Sequence, residues 1–355
     1  MRVMAVKHSG RTYRGRRAAT IENGHLRVTV LEEGGHIAEI RDARTGINPL
    51  WTPPWASIEP STYDRAAHPE YGSGGDAKLL AGIMGHNLCL DIFGDPSPAE
   101  AAAGITPHGD GSVAPYEIEA TPCDLTMRAN LPLAQIRIER RLRLTADGLA
   151  VHEQIENLCA FDRPIGWTEH VTLGPPFLER GVTEFRASAT RSKVFDGEFG
   201  ADDYLQGGAE FDWPHAPRQG GGVADLQRYA DVPRSSAYTA HLMDIHRDTA
   251  FFVAFSPMSK LAFGYVWKTS NFPWMGIWEE NHSRAASPWS RTTMTRGMEF
   301  GVSPFPESRR EMVARRSMFE TPTFRWLPAH ERLAVEYWVV VQTADEIPES
   351  LEWPS

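Results

Sequence analysis

The fold is decided by the stretch at residues 135–158, which reads QIRIERRLRLTADGLAVHEQIENL. Its first half alternates apolar and polar residues from Ile136 to Leu144, as a strand that buries one face must. The short turn at residues 146–148 (ADG) predicts a hairpin, and Leu149–Leu158 is the returning strand. Antiparallel strands of this type build sheets with one face on the core.

Strand patterns recur along the rest of the chain, whereas helical patterns are scarce. The further predicted strands are His25–Leu31, Ala250–Phe255, Leu261–Trp267, Met275–Glu280, Gly297–Val302 and Leu333–Thr343. Short helices are predicted only over Pro98–Gly104 and Pro306–Val313. We therefore predict an all-β protein, a large antiparallel β-sandwich with few short helices.

Two irregular stretches, Trp51–Gly75 and Gly197–Gly222, are rich in turn residues. Neither separates parts of different composition, so we interpret both as long loops within one domain. Residues 1–24 are predicted to be an N-terminal arm or a first strand, and residues 25–355 a single domain.

The charge balance argues against a nucleic-acid partner. The 355-residue chain carries 46 acidic and 36 basic residues, a formal charge of −10, whereas phosphate binding needs clustered Lys and Arg. Four arginines near the N-terminus lack interleaved aromatic residues, and we interpret them as a solvated arm, with an anionic contact as the alternative. These are Arg11, Arg14, Arg16 and Arg17.

Hydropathy and cysteine content predict a cytoplasmic globular protein. No stretch approaches the ~20 apolar residues of a membrane-spanning helix, and no apolar signal block is seen near the N-terminus. Cys89, Cys123 and Cys159 form no C-x-x-C pair, as is typical of a reducing compartment. We predict no membrane partner, and the oligomeric state is left open.

The first candidate site residues lie between Gly82 and Val113, among several glycines. Glycine lets backbone approach a ligand closely, and His and Asn side chains hydrogen-bond hydroxyl groups. His86, Asn87 and His108 are therefore candidates, although polar residues in such a loop also make turns and caps.

A second candidate, His170, follows a strand-like run and precedes the breaker at residues 174–176 (GPP). A histidine at a strand end is either a packed core residue or a functional one. Its neighbour Glu169 points to the opposite face of a strand, so these two side chains are not expected to be direct partners.

The segment from Trp267 to Pro306 is the richest in candidates. It contains four tryptophans and a group of charged residues: Trp267, Trp274, Trp278, Trp289, Glu279, Glu280, His282 and Arg284. Aromatic faces pack on the C–H surface of a sugar ring, and carboxylates accept hydrogen bonds from its hydroxyl groups, so this segment is typical of a sugar site. A tryptophan-rich core is the alternative. Glu299 is a lone carboxylate in an otherwise apolar strand, which favours a functional role over a structural pair.

Familiar nucleotide, esterase and zinc-protease motifs are missing from the sequence. His241, Asp244 and His246 have a spacing that could recruit a metal through mixed nitrogen and oxygen ligands, but nothing supplies another strong ligand. We therefore predict neither a metal nor a cofactor.

The order of these segments resembles the galactose mutarotase-like (aldose 1-epimerase) superfamily. The similar features are a strand ending in Asn before a His-containing segment, a His-Gly pair in a glycine-rich loop, an aromatic strand, and a Gly-led strand with a Glu. In this chain they are Leu149–Asn157, Glu169–Leu173, His108-Gly109, Trp274–Glu279 and Gly297–Pro306. The resemblance spans about Leu26 to Thr343 and implies a β-supersandwich.

Two positions depart from the superfamily pattern. The superfamily's catalytic Glu lies four residues after the Gly of the last strand, where this chain has Gly301, while Glu299 lies two residues earlier on the same strand face. Gly85, His86 and Asn87 stand where the superfamily has an asparagine–arginine grip on the sugar.

The resemblance implies an aldose 1-epimerase that interconverts sugar anomers by ring opening. A base removes the proton of the anomeric hydroxyl while an acid protonates the ring oxygen. We assign Glu299 as base, His170 as acid and His108 as the group that holds a hydroxyl or the ring oxygen. The expected contacts to the small-molecule carbohydrate are His86, Asn87, Trp274, Trp278, Glu280 and His282.

Other functions remain open because one fold hosts many reactions. A carbohydrate lyase or glycoside hydrolase would use the same carboxylate and imidazole and should have an open groove. A non-catalytic sugar-binding protein is the third hypothesis.

Overall fold

The computed structural model describes residues 12–146 and 148–354. Its strands, in chain order, are β1 (Thr12–Tyr13), β2 (Arg16–Glu22), β3 (Leu26–Leu31), β4 (Ile37–Asp42), β5 (His86–Asp91), β6 (Glu117–Ala120), β7 (Asp124–Leu131), β8 (Ile136–Leu144), β9 (Leu149–Asn157), β10 (Arg163–Leu173), β11 (Glu184–Ala187), β12 (Ala189–Val194), β13 (Glu210–Asp212), β14 (His215–Pro217), β15 (Val223–Asp225), β16 (Ser235–Met243), β17 (Thr249–Ser256), β18 (Leu261–Lys268), β19 (Trp274–Asn281), β20 (Met294–Gly301), β21 (Ser317–Met318), β22 (Thr321–Pro322), β23 (Arg325–Leu327) and β24 (Arg332–Thr343). The helices are α1 (Ala77–Gly82), α2 (Pro98–Ala102) and α3 (Arg309–Arg315), with 3₁₀ turns at Pro60–Thr62, Pro69–Tyr71 and Asp110–Ser112.

Two antiparallel sheets form the body of the protein. The large sheet has the order β1-β2-β3-β4-β5-β10-β20-β19-β16-β12-β13, and β23 pairs with the first residues of β10. The small sheet has the order β11-β17-β18-β24-β9-β8-β7-β6. Strands β5, β10, β20, β19 and β16 are therefore neighbours in the middle of the large sheet.

The main apolar core lies between the two sheets because successive side chains of a strand point to opposite faces. Phe300 of β20 stacks on Trp267 of β18, with ring centroids 4.3 Å apart. The other face of the large sheet packs against loops through a second apolar cluster that includes Trp51, Trp278 and Trp289. The central strands of the large sheet are thus buried on both faces, and their polar side chains on the loop-covered face are shielded from bulk water.

The structure confirms the predicted fold class and all eight predicted strands, with ends shifted by three residues at most. The hairpin around residues 146–148 is formed, since Leu144 pairs with Leu149, although Asp147 lies outside the described residues. Both predicted helices are present. Helix α3 begins later than expected because the Ser308 side chain caps it and exchanges hydrogen bonds with Glu311.

The interpretation of the N-terminal arginines as a solvated arm is wrong for Arg16. This side chain is fully buried and donates to the Glu59 carboxylate and to the carbonyl oxygens of Glu33 and Gly82. Strand β2, which carries Arg16, pairs with β3 in the large sheet. Arg14 and Arg17 are exposed, and Arg11 lies outside the described residues.

All three cysteines are free thiols. Over the described ranges, no helix is both long enough and apolar enough to cross a membrane.

Candidate active site

A row of three polar side chains crosses the middle of the large sheet on its loop-covered face. In the strand register, Asn87 of β5 lies opposite His170 of β10, which lies opposite Glu299 of β20. Their chain neighbours His86, Glu169 and Phe300 point to the inner face. The prediction that Glu169 and His170 face opposite ways is confirmed.

The carboxyl group of Glu299 lies over two glycines. A Cβ atom on Gly297 would be 2.3 Å from Glu299 Oε1, and one on Gly276 would be 2.0 Å from the Tyr238 hydroxyl and 3.4 Å from Glu299 Oε2. That hydroxyl donates to Glu299 Oε2 at 3.2 Å. The absence of side chains at both glycines therefore leaves the space in which carboxyl and phenol meet.

His108 approaches this row from a loop. Both His108 and Gly109 have positive φ angles, of 68° and 78°, and a Cβ on Gly109 would lie 2.1 Å from the Leu90 carbonyl oxygen. The Asn87 amide donates to His108 Nδ1 at 3.1 Å, which leaves Nε2 to carry the proton of the neutral ring. The rings of His108 and His170 lie 4.8 Å apart, so both imidazoles adjoin the same space.

His170 and Glu299 form the central contact. Nε2 of His170 lies 3.0 Å from Glu299 Oε1, but the angle is not that of a hydrogen bond, and Oε1 is a buried oxygen without a hydrogen-bond partner. Nδ1 of His170 lies 3.0 Å from the Thr172 hydroxyl. Donation from Nδ1 to that hydroxyl leaves the Nε2 lone pair of the neutral ring as an acceptor.

Burial opposes a charge on either member of this contact. It raises the pKa of Glu299 to about 8, against a smaller lowering by the Tyr238 hydrogen bond. It also lowers the pKa of His170 to about 3. Burial, and next the neighbouring His170, lower the pKa of His108 well below its usual value. At neutral pH the site therefore contains a protonated Glu299 and two neutral imidazoles.

A cleft of about 1450 Å³ opens above His108, His170 and Glu299. Its wall includes Trp278 and Trp289, whose rings meet edge to face at 5.8 Å. The indole nitrogen of Trp278 is a buried donor without a partner. The floor of the cleft thus offers two polar atoms without hydrogen-bond partners, Glu299 Oε1 and Trp278 Nε1, beside an apolar ring face.

Arg284 lies on the same wall and is held by Glu280. Its guanidinium carbon lies 4.8 Å from the Trp289 ring and 5.3 Å from the Trp278 ring. Glu280 accepts hydrogen bonds from the backbone nitrogens of Ser283 and Arg284 and lies 3.5 Å from the guanidinium. Glu280 is itself almost fully buried, so it positions the wall rather than contacting a ligand directly.

Besides Glu280, four of the residues predicted to contact substrate do not line the cleft, which corrects those assignments. His86 lies between the sheets, bonded to Glu169 and the Tyr265 hydroxyl. Trp274 is fully buried, and its indole donates to the Pro322 carbonyl. His282 lines a separate cavity beside the Arg291 carbonyl. Asn87 is buried beneath His108 and acts through it.

The possible metal spacing near His241 is not assembled. His241 is buried and contacts the hydroxyls of Thr239 and Ser192, while Asp244 accepts from the backbone of His246. Within residues 12–146 and 148–354, no group of three or more His, Cys, Asp or Glu side chains is arranged to hold a metal ion.

Sequence reasoning missed Tyr238, which the structure places against Glu299. Strand β16 was not predicted, although residues 237–242 (AYTAHL) carry Tyr238, Ala240 and Leu242 at alternate positions. That alternation is the signal that could have found the strand. Nothing in the sequence pairs Tyr238 with Glu299, because β19 lies between their strands.

Several solved structures resemble this one over nearly its whole length. A protein from Klebsiella pneumoniae described as a "putative aldose 1-epimerase" matches with a TM-score of 0.65 at 14% identity, covering 93% of this chain and 80% of that one. One from Escherichia coli with the same description matches with a TM-score of 0.61 at 16% identity, covering 93% and 100%. A galactose mutarotase-like protein from Clostridium acetobutylicum matches with a TM-score of 0.59 at 12% identity, covering 92% of this chain and 96% of that one.

The chain has the galactose mutarotase-like fold. No protein-family model and no curated protein sequence matches it. At these identities the likeness establishes the fold and leaves the activity to be argued from the site.

The galactose mutarotase-like pattern expects a glutamate at position 301, and the structure shows why this chain has glycine there. A Cβ at Gly301 would lie 2.4 Å from the Thr168 hydroxyl and 2.6 Å from the Trp167 carbonyl oxygen. Strand β10 therefore approaches too closely for any side chain at 301. The carboxylate nearest to His170 on β20 is Glu299, directly opposite it.

Replacing Gly301 with alanine is expected to destabilise the protein by about 1–3 kcal/mol, the usual cost of overpacking. Urea denaturation should show this as a lower midpoint. Gly24→Ala is the matched control because a Cβ there has no atom within 4 Å. Equal midpoints for the two variants would contradict the close approach of β10 and β20.

Proposed function

We propose that this protein is an aldose 1-epimerase-like isomerase that interconverts the α and β anomers of a sugar. The observation that carries the proposal is the contact of His170 Nε2 with Glu299 Oε1, 3.0 Å apart on the floor of the cleft. Anomer exchange needs one group that gives a proton and one that takes a proton. This pair supplies both without a metal or cofactor.

The proposed reaction begins with the proton on Glu299. The carboxyl proton passes to the ring oxygen as the bond between that oxygen and the anomeric carbon breaks. His170 Nε2 takes the proton of the anomeric hydroxyl, which becomes the carbonyl oxygen of the open-chain aldehyde. Rotation about the bond between the first two carbons, followed by the reverse transfers, closes the ring with the other configuration and restores both side chains.

These roles are the reverse of those expected from the sequence, where Glu299 was the base and His170 the acid. The reason is burial, which holds the pKa of Glu299 at about 8 and that of His170 at about 3. At neutral pH the carboxyl group then has a proton to give, and the imidazole has a lone pair that can accept one. The ion pair formed in the open-chain state is stabilised by the contact between the two groups.

Binding is assigned to the side chains around this pair. Trp278 offers an apolar ring face and a free indole N–H to the sugar. His108 Nε2–H is positioned by Asn87 to hold a hydroxyl or the ring oxygen. Tyr238 orients the Glu299 carboxyl through its hydrogen bond to Oε2.

The direct test is NMR saturation transfer between α and β anomers across neutral aldoses, 6-deoxysugars, amino sugars, uronic acids and sugar phosphates. Faster exchange for one class than in buffer alone supports the proposal and identifies the substrate type. No acceleration for any sugar would overturn it.

The pH profile tests whether the active form of the His170–Glu299 pair holds a single proton. Because the proposed active form has Glu299 protonated and His170 neutral, kcat/KM is expected to be constant between about pH 4 and pH 7. It should fall about tenfold per unit above the Glu299 pKa of about 8, as the donor ionises. The measurement is enzymatic anomer exchange after subtraction of the rate in buffer.

If ionised Glu299 acted as a base without a protonated partner, kcat/KM would instead rise through pH 8. Tyr238→Phe sharpens this test, because loss of a hydrogen bond that lowers the pKa of Glu299 should move the alkaline limb to higher pH. A limb that does not move would argue that another group titrates there.

A carbohydrate lyase or glycoside hydrolase is the second candidate, favoured by the size of the cleft. A volume of about 1450 Å³ exceeds the ~300–1,000 Å³ of most small-ligand pockets. Release of new reducing ends or unsaturated sugars from oligosaccharides, without anomer exchange, would support this candidate. Sugar binding with neither reaction would indicate a binding protein.

We also infer that the protein acts in the cytoplasm on a small-molecule sugar. Three free thiols and no disulfide among its three cysteines are consistent with a reducing compartment. Fractionation of the native host is the measurement that tests this location.

A further inference from the structure

Three carboxylates lie at the mouth of the cleft, and each comes from a different part of the fold. Asp76 immediately precedes α1, Asp95 follows β5, and Glu311 lies in α3. We call these three residues the acidic mouth. In the described part of the chain, no Lys or Arg nitrogen lies within 4.0 Å of any of the three carboxylates.

The charges of the acidic mouth act on one another. Burial and, after it, the negative charges of Asp76 and Glu311 raise the pKa of Asp95. Carboxylates that repel each other in this way are stabilised by any cation that enters between them.

The arginines of the cleft offset this charge only in part, since Arg315 attracts Glu311 and Arg284 attracts Asp76. Arg315 is bonded to Glu307, and Arg284 is paired with Glu280. Arg65 donates to the backbone carbonyl of Ser73. Among the described residues, seven carboxyl side chains and three guanidinium groups line the cleft, so the cleft remains acidic even with Glu299 protonated.

The interior of the same cleft independently indicates a ligand. Trp278 Nε1 and Glu299 Oε1 are buried polar atoms without hydrogen-bond partners, and both residues line the cleft. A sugar that satisfies these two atoms would occupy only part of a volume of about 1450 Å³. Its substituents would therefore lie in the field of the acidic mouth.

We infer that the cleft selects sugars that carry a positively charged amino group over neutral sugars, and that it discriminates against sugars that carry phosphate or carboxylate. This inference rests on the proposed function and names its substrate class. The acidic mouth is the feature that decides between the classes, because its charges act at a distance on a charged substituent and not on a neutral one.

The test compares glucosamine, N-acetylglucosamine, glucose and glucose 6-phosphate at pH 6, where the amine is protonated. N-acetylglucosamine is the control for the 2-substituent because it keeps the nitrogen and loses the charge. The galactose series is measured in parallel, so that a preference for one hydroxyl configuration is not mistaken for a charge effect. The readouts are anomer exchange by saturation transfer and binding by ligand-observed NMR.

We expect kcat/KM for the amino sugar to exceed that for the neutral sugars by about tenfold and that for the phosphate by about a hundredfold at low salt. The preference should shrink at 0.5 M NaCl because salt screens exposed charges. Asp95→Asn combined with Glu311→Gln should reduce the ratio of amino to neutral sugar several-fold. Asp212→Asn, an exposed carboxylate on β13 outside the cleft, should leave the ratio unchanged.

The outcomes separate the inference from the proposed function. Anomer exchange with equal kcat/KM for charged and neutral sugars would overturn the inference and leave the epimerase proposal standing. The inference also fails, with the epimerase proposal intact, if the Asp95→Asn/Glu311→Gln variant keeps the full preference. Binding of the amino sugar without exchange would retain the inference and overturn the epimerase, whereas neither binding nor exchange of any sugar would overturn both.

Discussion

Glu299→Gln is expected to lower the rate constant of anomer exchange by about 10²–10⁴-fold, the usual contribution of a positioned acid or base. An amide has nearly the shape of a carboxylic acid but cannot give its proton to the ring oxygen. Burial and packing around residue 299 are otherwise preserved, including the space above Gly276 and Gly297. The kcat of the variant should therefore fall while its thermal midpoint stays close to that of the unchanged protein.

His170→Asn should produce a loss of the same order, since the imidazole is the partner of the same transfer. The two losses are not expected to add in the double variant, because both residues serve one proton exchange. Glu336→Gln is the control, a carboxylate exposed on β24 of the small sheet. Full activity of Glu299→Gln would remove Glu299 from the mechanism. Adding Gly301→Glu to Glu299→Gln is not expected to restore activity, because β10 leaves no room at 301.

Arg140→Met is expected to destabilise the protein by about 3–5 kcal/mol, because it removes the cation from a buried charge network. Arg140 is fully buried between the sheets. Its nitrogens lie 2.6 Å from the Glu153 carboxylate and 3.4 Å from that of Glu169. The Tyr337 hydroxyl lies 2.9 Å from the same Glu169 oxygen, so the network joins strands of both sheets.

Without Arg140, two carboxyl groups remain in the core with no positive partner. Burial, with Glu169 as a further cause and against the lowering by Arg140, already raises the pKa of Glu153 to about 7. The network is close to the limit of negative charge that the core tolerates. Unfolding in urea is the measurement, and the free energy of unfolding is the quantity that should fall.

The neighbouring residue supplies the matched control. Arg141 points to the opposite face of β8, is 62% exposed and pairs with Glu139 at the surface. Arg141→Met should change the free energy of unfolding by at most about 1 kcal/mol, as exposed ion pairs usually do. Similar losses for Arg140→Met and Arg141→Met would show that the buried network does not contribute as argued.

This network also lies directly behind the candidate site. Glu169 and His86 belong to the network, and their chain neighbours His170 and Asn87 belong to the site. Side chains alternate between the two faces along β5 and β10. The buried network on the inner face therefore fixes the strands that carry the polar row on the other face. The buried charges are one reason why the strands that carry the site keep their positions.

Local patterns in the sequence were sufficient for eight strands of the two sheets and for the faces of their side chains. Because side chains alternate along a strand, His170 and Glu169 point to opposite faces whichever strands pair with theirs. The same alternation places Glu299 and Gly301 on one face. The same local logic found the cluster of tryptophans and carboxylates before Pro306. Residue type alone led to the wrong assignment of His86, Trp274 and His282 to the ligand, because it does not tell which side chains face the cleft.

What local patterns left undecided depends on contacts between distant parts of the chain. The pairing of β10 with β20 sets His170 opposite Glu299, and the closeness of the same two strands at Gly301 excludes a side chain there. Tyr238, Arg284 and the acidic mouth enter the cleft from other strands, loops and helices. Burial in that assembled cleft raises the pKa of Glu299 and lowers that of His170, because a pKa depends on the surroundings of a group and not on its place in the sequence.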